Sequence, residues 1–398
     1  MKQERGQALI LIALGIVVMV GFAALAIDGG NAFADRRHAQ NAADNAALSA
    51  ALAKINNQNW VEAAVERAAS NTYDDNGVTN TVDVFNPPLD GPYACPAANC
   101  NEYIQVIIVS RVDTWFARIV GMEQITNRVQ AVSRAKPWKP YYDGHAVVSL
   151  SPGDGKSNTP EFEFNGSAST VGVSGSGVFI NSQDNCVMKT NGSPTVTIPY
   201  ITTAGTICEA TGIPTNSGTQ YPYPPSYPHL ADICSKPNVI KINNSNKSFP
   251  VGTGDTIQSN KIYCISGDFE ITNGTFNASN VTFVVEGDVK VTGGTLNLSS
   301  PPSLPLFYLP YASHKFKSDG KSLDNKHDIT INGNAGTVLT GQILAPASHC
   351  SVNGTGDTNP LKGQLICYTV ALGGSSIAQI QYNDNDNMDE PPQIELTQ

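Results

Sequence analysis

Residues 8–27 (ALILIALGIVVMVGFAALAI) form an uncharged run, long enough as a helix to cross about 30 Å of hydrocarbon. Lys2 and Arg5 precede it, which predicts a cytoplasmic N-terminus. Ala24-Leu25-Ala26 imitates a signal-peptide cleavage site, but the run is longer than the usual apolar core of such peptides, about 7–15 residues. The helical pattern also continues beyond it. Ala39, Ala43, Ala46, Ala50 and Ala53 recur with spacings of 4, 3, 4 and 3, the period of a helix–helix seam in which small side chains let backbones approach closely. The pattern predicts one helix over 8–55, about 70 Å long at 1.5 Å per residue. Half would lie in lipid, and half would pack against copies of itself.

Further along, residues 60–72 (WVEAAVERAASNT) place Val61, Ala64, Val65 and Ala68 on one helical face. Asp74-Asp75-Asn76-Gly77 is a turn cluster. Residues 78–85 and 103–110 are rich in strand-forming side chains, and residues 125–135 alternate as a half-buried strand does. A short helix is expected over 114–120, with Trp115 and Phe116 as core side chains. Together these segments predict a small α+β head.

After Pro137-Trp138-Lys139-Pro140-Tyr141-Tyr142, read as a rigid linker, the period changes to short β runs separated by Asn-Gly, Gly-Ser and Gly-Gly turns. The units ITNGTF, VTGGTL and ITINGNA recur like the rungs of a parallel β-solenoid. Asn and Thr are abundant enough to form side-chain ladders between rungs. A β-sandwich would also give short strands, but the rung-like units favour the solenoid. The predicted organisation is a membrane and filament-core helix over 1–56, an α+β head over 57–137, and an all-β right-handed solenoid over 143–382. A Pro-rich interruption near 215–235 (YPYPPSYP at 221–228) breaks the solenoid, as a loop thrown out of one stack or a hinge between two. Residues 383–398 are acidic and Pro-containing and are expected to trail as a disordered tail.

Composition supports this picture. Only 15% of the 398 residues are charged, against about 25% in ordinary globular chains. The net charge is −10, and no arginine follows Arg134. Such a surface is unsuited to nucleic-acid phosphates, and that class of partner is excluded. All eight cysteines follow the apolar run and none forms a CxxC pair, which points to disulfides made outside the cytoplasm rather than to zinc. Cys186 and Cys208 are 22 apart and Cys350 and Cys367 are 17 apart, about one solenoid turn each. Those pairs are expected, with Cys95–Cys100 closing a local loop and Cys234–Cys264 following by elimination.

Candidate chemistry is sparse. Asp268 with Glu270, and Glu286 with Asp288, are spaced to share a strand face, where paired carboxylates can serve as acid and base. Solvated decoration is the favoured reading of both pairs. His145, His229, His314, His327 and His349 share no motif, and Asp384-Asn385-Asp386-Asn387 lacks the Gly and terminal Glu of a calcium loop. No catalytic, metal or cofactor site is expected. Asn165, Asn273, Asn277, Asn280, Asn297 and Asn353 open Asn-X-Ser/Thr triplets that could accept glycans.

The stretch RGQALILIALGIVVMVGFAALAIDGGNAFADRRHAQNAADNAALSAAL resembles the N-terminal helix of TadE/TadG-like proteins of the Flp (Tad) pilus system. YIQVIIVSRVDTWFARIVGMEQITNRVQAVSRA, residues 103–135, resembles the remainder of that domain. Residues 140–382 resemble the Gly/Asn/Thr-rich β-helical tails appended to Tad-like domains in some bacterial surface proteins. The resemblance implies a membrane-inserted, pilin-like protein that is assembled into, or acts on, a surface filament. With the alanine seam and a β region without catalytic features, the expected reading is a non-enzymatic structural subunit, held in the cytoplasmic membrane and then assembled with copies of itself by pilus machinery. Prepilin-type processing would cut after Gly6 and leave Gln7 first and Leu11 fifth, where that signature has Glu; the only nearby acid, Glu4, precedes the cut. An anchored adhesin or minor pilin binding surfaces or glycans is the first alternative, and a solenoid acting on polysaccharide the second.

Overall fold

The computed structural model describes residues 4–97, 99–155, 160–166, 169–209, 212–243, 249–250, 256–310, 327–333, 336–354, 361–375 and 377–397, with the side chains of 4–10 and 120 outside that set. The chain is α+β and divides into two compact units. One comprises residues 1–138 and 391–398, the other residues 139–390.

The first unit is built on helix α1 (Glu4–Ile55), 52 residues long and therefore about 78 Å. Helix α2 (Trp60–Ala69) follows, opened by Asn59, whose side-chain Oδ1 accepts the Glu62 N–H while its side-chain amide donates to the Glu62 carboxylate. Strands β1 (Asn80–Phe85), β2 (Tyr103–Asp113) and β3 (Gln124–Lys136) form an antiparallel meander. A fourth strand, β4 (Gln393–Thr397), pairs antiparallel with β3 from Gln393↔Lys136 to Thr397↔Val132. The segment read as a disordered tail therefore completes the head sheet. Its acidic, Pro-containing composition hid the alternation Ile394-Glu395-Leu396-Thr397, in which Leu396 packs on the head core and Glu395 pairs with Arg134.

The alanine seam has an intramolecular partner. Ala39, Ala43, Ala46 and Ala50 are at most 1% exposed and Ala53 is 5% exposed. Ala39, Ala43, Ala46 and Ala50 pack with Ala64 and Ala68 of α2 and with Ile104, Val106, Ile108, Val129 and Ala131 of the sheet. The small side chains bring strand and helix close enough for the Ser133 hydroxyl on β3 to donate to the Ala47 carbonyl at 2.6 Å. The sequence expectation that this face meets other copies is thus corrected: a small-residue stripe specifies close approach, not whose surface approaches.

The second unit is a stack of parallel strands. Three short strands, Ile262–Ile265, Phe269–Ile271 and Thr275–Ala278, recur 20 residues on as Thr282–Val285, Val289–Val291 and Thr295–Ser299, each paired in register with its predecessor. Like residues stack into buried columns, such as Tyr263–Phe283–Phe307–Ile343–Leu365–Val147–Val178–Ile201. A second column runs Phe269–Val289–Ile329–Cys350–Val370–Phe162–Met188. Gly274 and Gly294 repeat at one turn with φ of +89° and +79°, and a Cβ on Gly294 would lie 2.8 Å from the Gly274 carbonyl oxygen. Only glycine fits such a turn without strain. Asparagine ladders join successive rungs at Asn260–Asn280, Asn165–Asn191 and Asn332–Asn353.

Strand order differs from chain order. The first strand, Val147–Ser149, lies mid-stack beside the late strand Leu365–Gly373. From there the chain advances to one end at Thr215–Ser217, then resumes at the opposite end with Val239–Ile242 and returns to the middle. The Pro-rich segment is thus neither a looped-out insertion nor a hinge, since it links the two ends of a single stack. Tyr221, Tyr223, Tyr227, Leu230 and Ile233 lie along the outward side chains Val148, Leu150, Phe179, Val284, Tyr308, Leu344 and Ile366. Asn181 and Tyr221 exchange two hydrogen bonds of 2.7 and 3.1 Å. The expected rigid linker is likewise corrected. Tyr141 and Tyr142 are buried, and Lys139–Pro140 pairs antiparallel with Asp389–Glu390.

Candidate functional site: the bare half-helix and its clamp

Helix α1 changes character at Asp28. From residue 11 to residue 27, Ala24 alone is even half-buried, and Leu11, Val17, Met19, Phe22 and Leu25 are all more than two-thirds exposed. Among the described residues one helix is long and apolar enough to cross a membrane, and this is its apolar part. Asp28, the first charged residue after the run, is 5% exposed. Its carboxylate accepts the N–H groups of Trp115, Phe116 and Ala117 at 2.9, 3.0 and 2.7 Å, capping the 3-10 turn Ala117–Val120 as a helix N-cap would.

Two turns further along, Asp35 takes hydrogen bonds from the Ser110 hydroxyl at 3.0 Å, the Tyr73 hydroxyl at 3.1 Å and the Asn127 amide at 2.7 Å. The same Asn127 amide also reaches the Ala32 carbonyl. Burial first, and the Asp35 carboxylate second, push the Tyr73 phenol well above its ordinary value and keep it a donor. The alanine face begins one turn on. One half of α1 is therefore sealed into the head by buried polar bonds and close packing, and the other half is bare. Neither acid stood out in the sequence, because an aspartate on an Ala-rich helix reads as a solvated charge until its partners, 38 to 92 residues away, are known.

The remaining sequence candidates fall elsewhere. Gly6 and Gln7 lie in α1, with side chains outside the described residues. The disulfides are Cys95–Cys100, Cys186–Cys208, Cys234–Cys264 and Cys350–Cys367. Asp268 and Asp288 cap successive rungs: Asp268 accepts the Asp288 N–H at 2.8 Å, and Asp288 accepts the Asp328 N–H at 3.1 Å. Burial alone would raise the Asp288 carboxyl, but the bonds from Lys290 and the Asp328 N–H outweigh it and hold it below its ordinary value. Asp288 is thus a ladder member. The group with the most acid-like environment is one the sequence did not mark, Glu161. Burial lifts its carboxyl to about 7, opposed by its own N–H and by Ser182 and reinforced by Asp184 and Asp154.

Trp115 and Phe116 are not core residues. They are 76% and 38% exposed, on a hairpin loop between β2 and β3 whose backbone, not its side chains, is gripped by Asp28.

No curated protein and no solved structure matches the chain. Residues 103–135, whose sequence also suggested the same domain, lie outside the residues that a family model matches. That match covers the half-helix, the two clamp aspartates and the alanine face: residues 6–53 fit the family described as putative Flp pilus-assembly TadE/G-like.

Proposed function

We propose that this chain is a non-enzymatic structural subunit of a Tad/Flp-type surface pilus, held in the membrane by α1 before assembly and handled by pilus machinery. The stack, read as a right-handed β-solenoid, would be the part displayed outside the cell. The observation that carries this reading is the division of α1. Its alanine half is already sealed, so helix–helix contacts between copies would run through residues 11–27, which in water would leave a long apolar surface uncovered. Lipid covers it in the membrane, and neighbouring helices would cover it in a filament.

Gly21 supplies the test, because a Cβ there meets nothing within 4 Å. Gly21→Leu leaves the head and stack intact but obstructs close packing of copies. Electron microscopy of shear-released surface material should show uniform filaments made mainly of this chain, lost or sparse in G21L. Isolated copies in the membrane fraction, indifferent to G21L, would overturn the polymer. They would favour the second reading, a membrane-anchored adhesin or minor subunit, which the intramolecular use of the alanine face already supports.

A further inference from the structure

We propose that the β2–β3 hairpin loop is a membrane-interface foot, which seats the head on the outer headgroup layer beside its own spanning helix. This rests on the reading of α1 as membrane-inserted. The loop exposes an unusual set of side chains: Trp115 at 76%, Phe116 at 38%, Ile119 at 84% and Met122 at 55%. Hairpin loops normally face water and are polar. Here four apolar residues are held outward by a rigid frame. Thr114 closes the loop through its N–H to the Glu123 carbonyl at 3.0 Å and its hydroxyl to the Met122 and Glu123 carbonyls. Gly121, at φ +88°, ends the turn.

The position of the loop argues for lipid as its occupant. The three N–H bonds to Asp28 fix the loop to the point where the apolar run ends, so the loop lies at the level where α1 leaves hydrocarbon. Tryptophan favours that zone, where its ring is partly apolar and its N–H reaches water. Arg118, exposed on the same turn, is placed for lipid phosphates. Asp28 is then a positioning residue, for which interior burial beside a lipid-facing run is otherwise costly.

The test uses the full oxidised chain with Trp115 as its sole tryptophan (W60F, W138F), in phosphatidylcholine–phosphatidylglycerol vesicles holding no more than one copy each. Lipids brominated near the glycerol or near the chain ends report depth. Trp115 emission should be blue-shifted and quenched about twofold more by the shallow bromines than by the deep ones, as an interfacial indole requires. Ile119→Glu should abolish that quenching while protease protection still shows α1 inserted. Asp28→Asn should weaken it. A water-accessible, unquenched Trp115 in a chain whose helix is inserted would overturn the foot alone. Failure of α1 to insert would overturn the reading beneath it. Quenching that appears only when several copies share a vesicle would assign the loop to contacts between copies and sink the proposal.

Discussion

In the head, the helix side of the core is alanine from Ala39 to Ala51, and buried hydrogen bonds at Asp28, Asp35 and Ala47 lock helix to sheet. In the stack, the core is columns of Phe, Tyr, Leu, Ile and Val, fastened by three disulfides and by asparagine ladders. An alanine buries little area, so its value lies in letting backbones approach; a stacked phenylalanine contributes chiefly its own area. The head should therefore be intolerant of enlargement and the stack intolerant of truncation.

The largest effect is expected at Phe283, fully buried between Tyr263 and Phe307 at ring separations of 5.3 Å. Phe283→Ala should cost about 3–5 kcal/mol, lowering the calorimetric transition of the stack and leaving that of the head in place. A shift of both together would show that the two units unfold as one. Replacing Cys186 and Cys208 by Ser opens a link of sequence separation 22 and should remove about 3 kcal/mol from the same transition. Ala46→Leu inverts the pattern, costing about 1–3 kcal/mol by overpacking and moving only the head. An unchanged head transition would show that the alanine face has slack.

The smallest expected effect concerns Glu161, where burial raises the folded pKa to about 7, above the ordinary 4.5. Folding favours the neutral acid, so the contribution of this group to stability is greatest below pH 4.5. It falls as pH rises through this window, and the penalty is complete above pH 7. Allowing for solvent screening, Glu161→Gln should gain on the order of 1–2 kcal/mol over the parent at pH 8. It should gain nothing at pH 4. Urea titrations of the two proteins at both pH values would check the sign.

What the sequence revealed follows the same division. The helix, the three strands of the head meander and the rung-like units announce themselves because periodicity is local. The partner of the alanine face does not, because Ala43 reads the same whether it meets a strand of its own chain or another copy. Strand order in the stack was equally hidden. Every rung uses the same turn chemistry, so nothing local says that Val147 neighbours Leu365 rather than the end of the array. Asp28 and the exposure of Trp115 were missed together, because each is explained only by the other.

The return of the chain to the head in β4 gives the molecule a two-line mooring. The stack leaves through β3 and comes back through the strand hydrogen-bonded beside it, Gln393 opposite Lys136. A single proteolytic cut at either line leaves the stack attached by the other. A load on the stack is divided between two adjacent strands, which the helix and the rest of the sheet hold as one piece. The same arrangement sets a checkpoint on biogenesis. The head cannot finish its sheet until residues 393–397 have been made, so chains truncated anywhere in the stack carry an unfinished head.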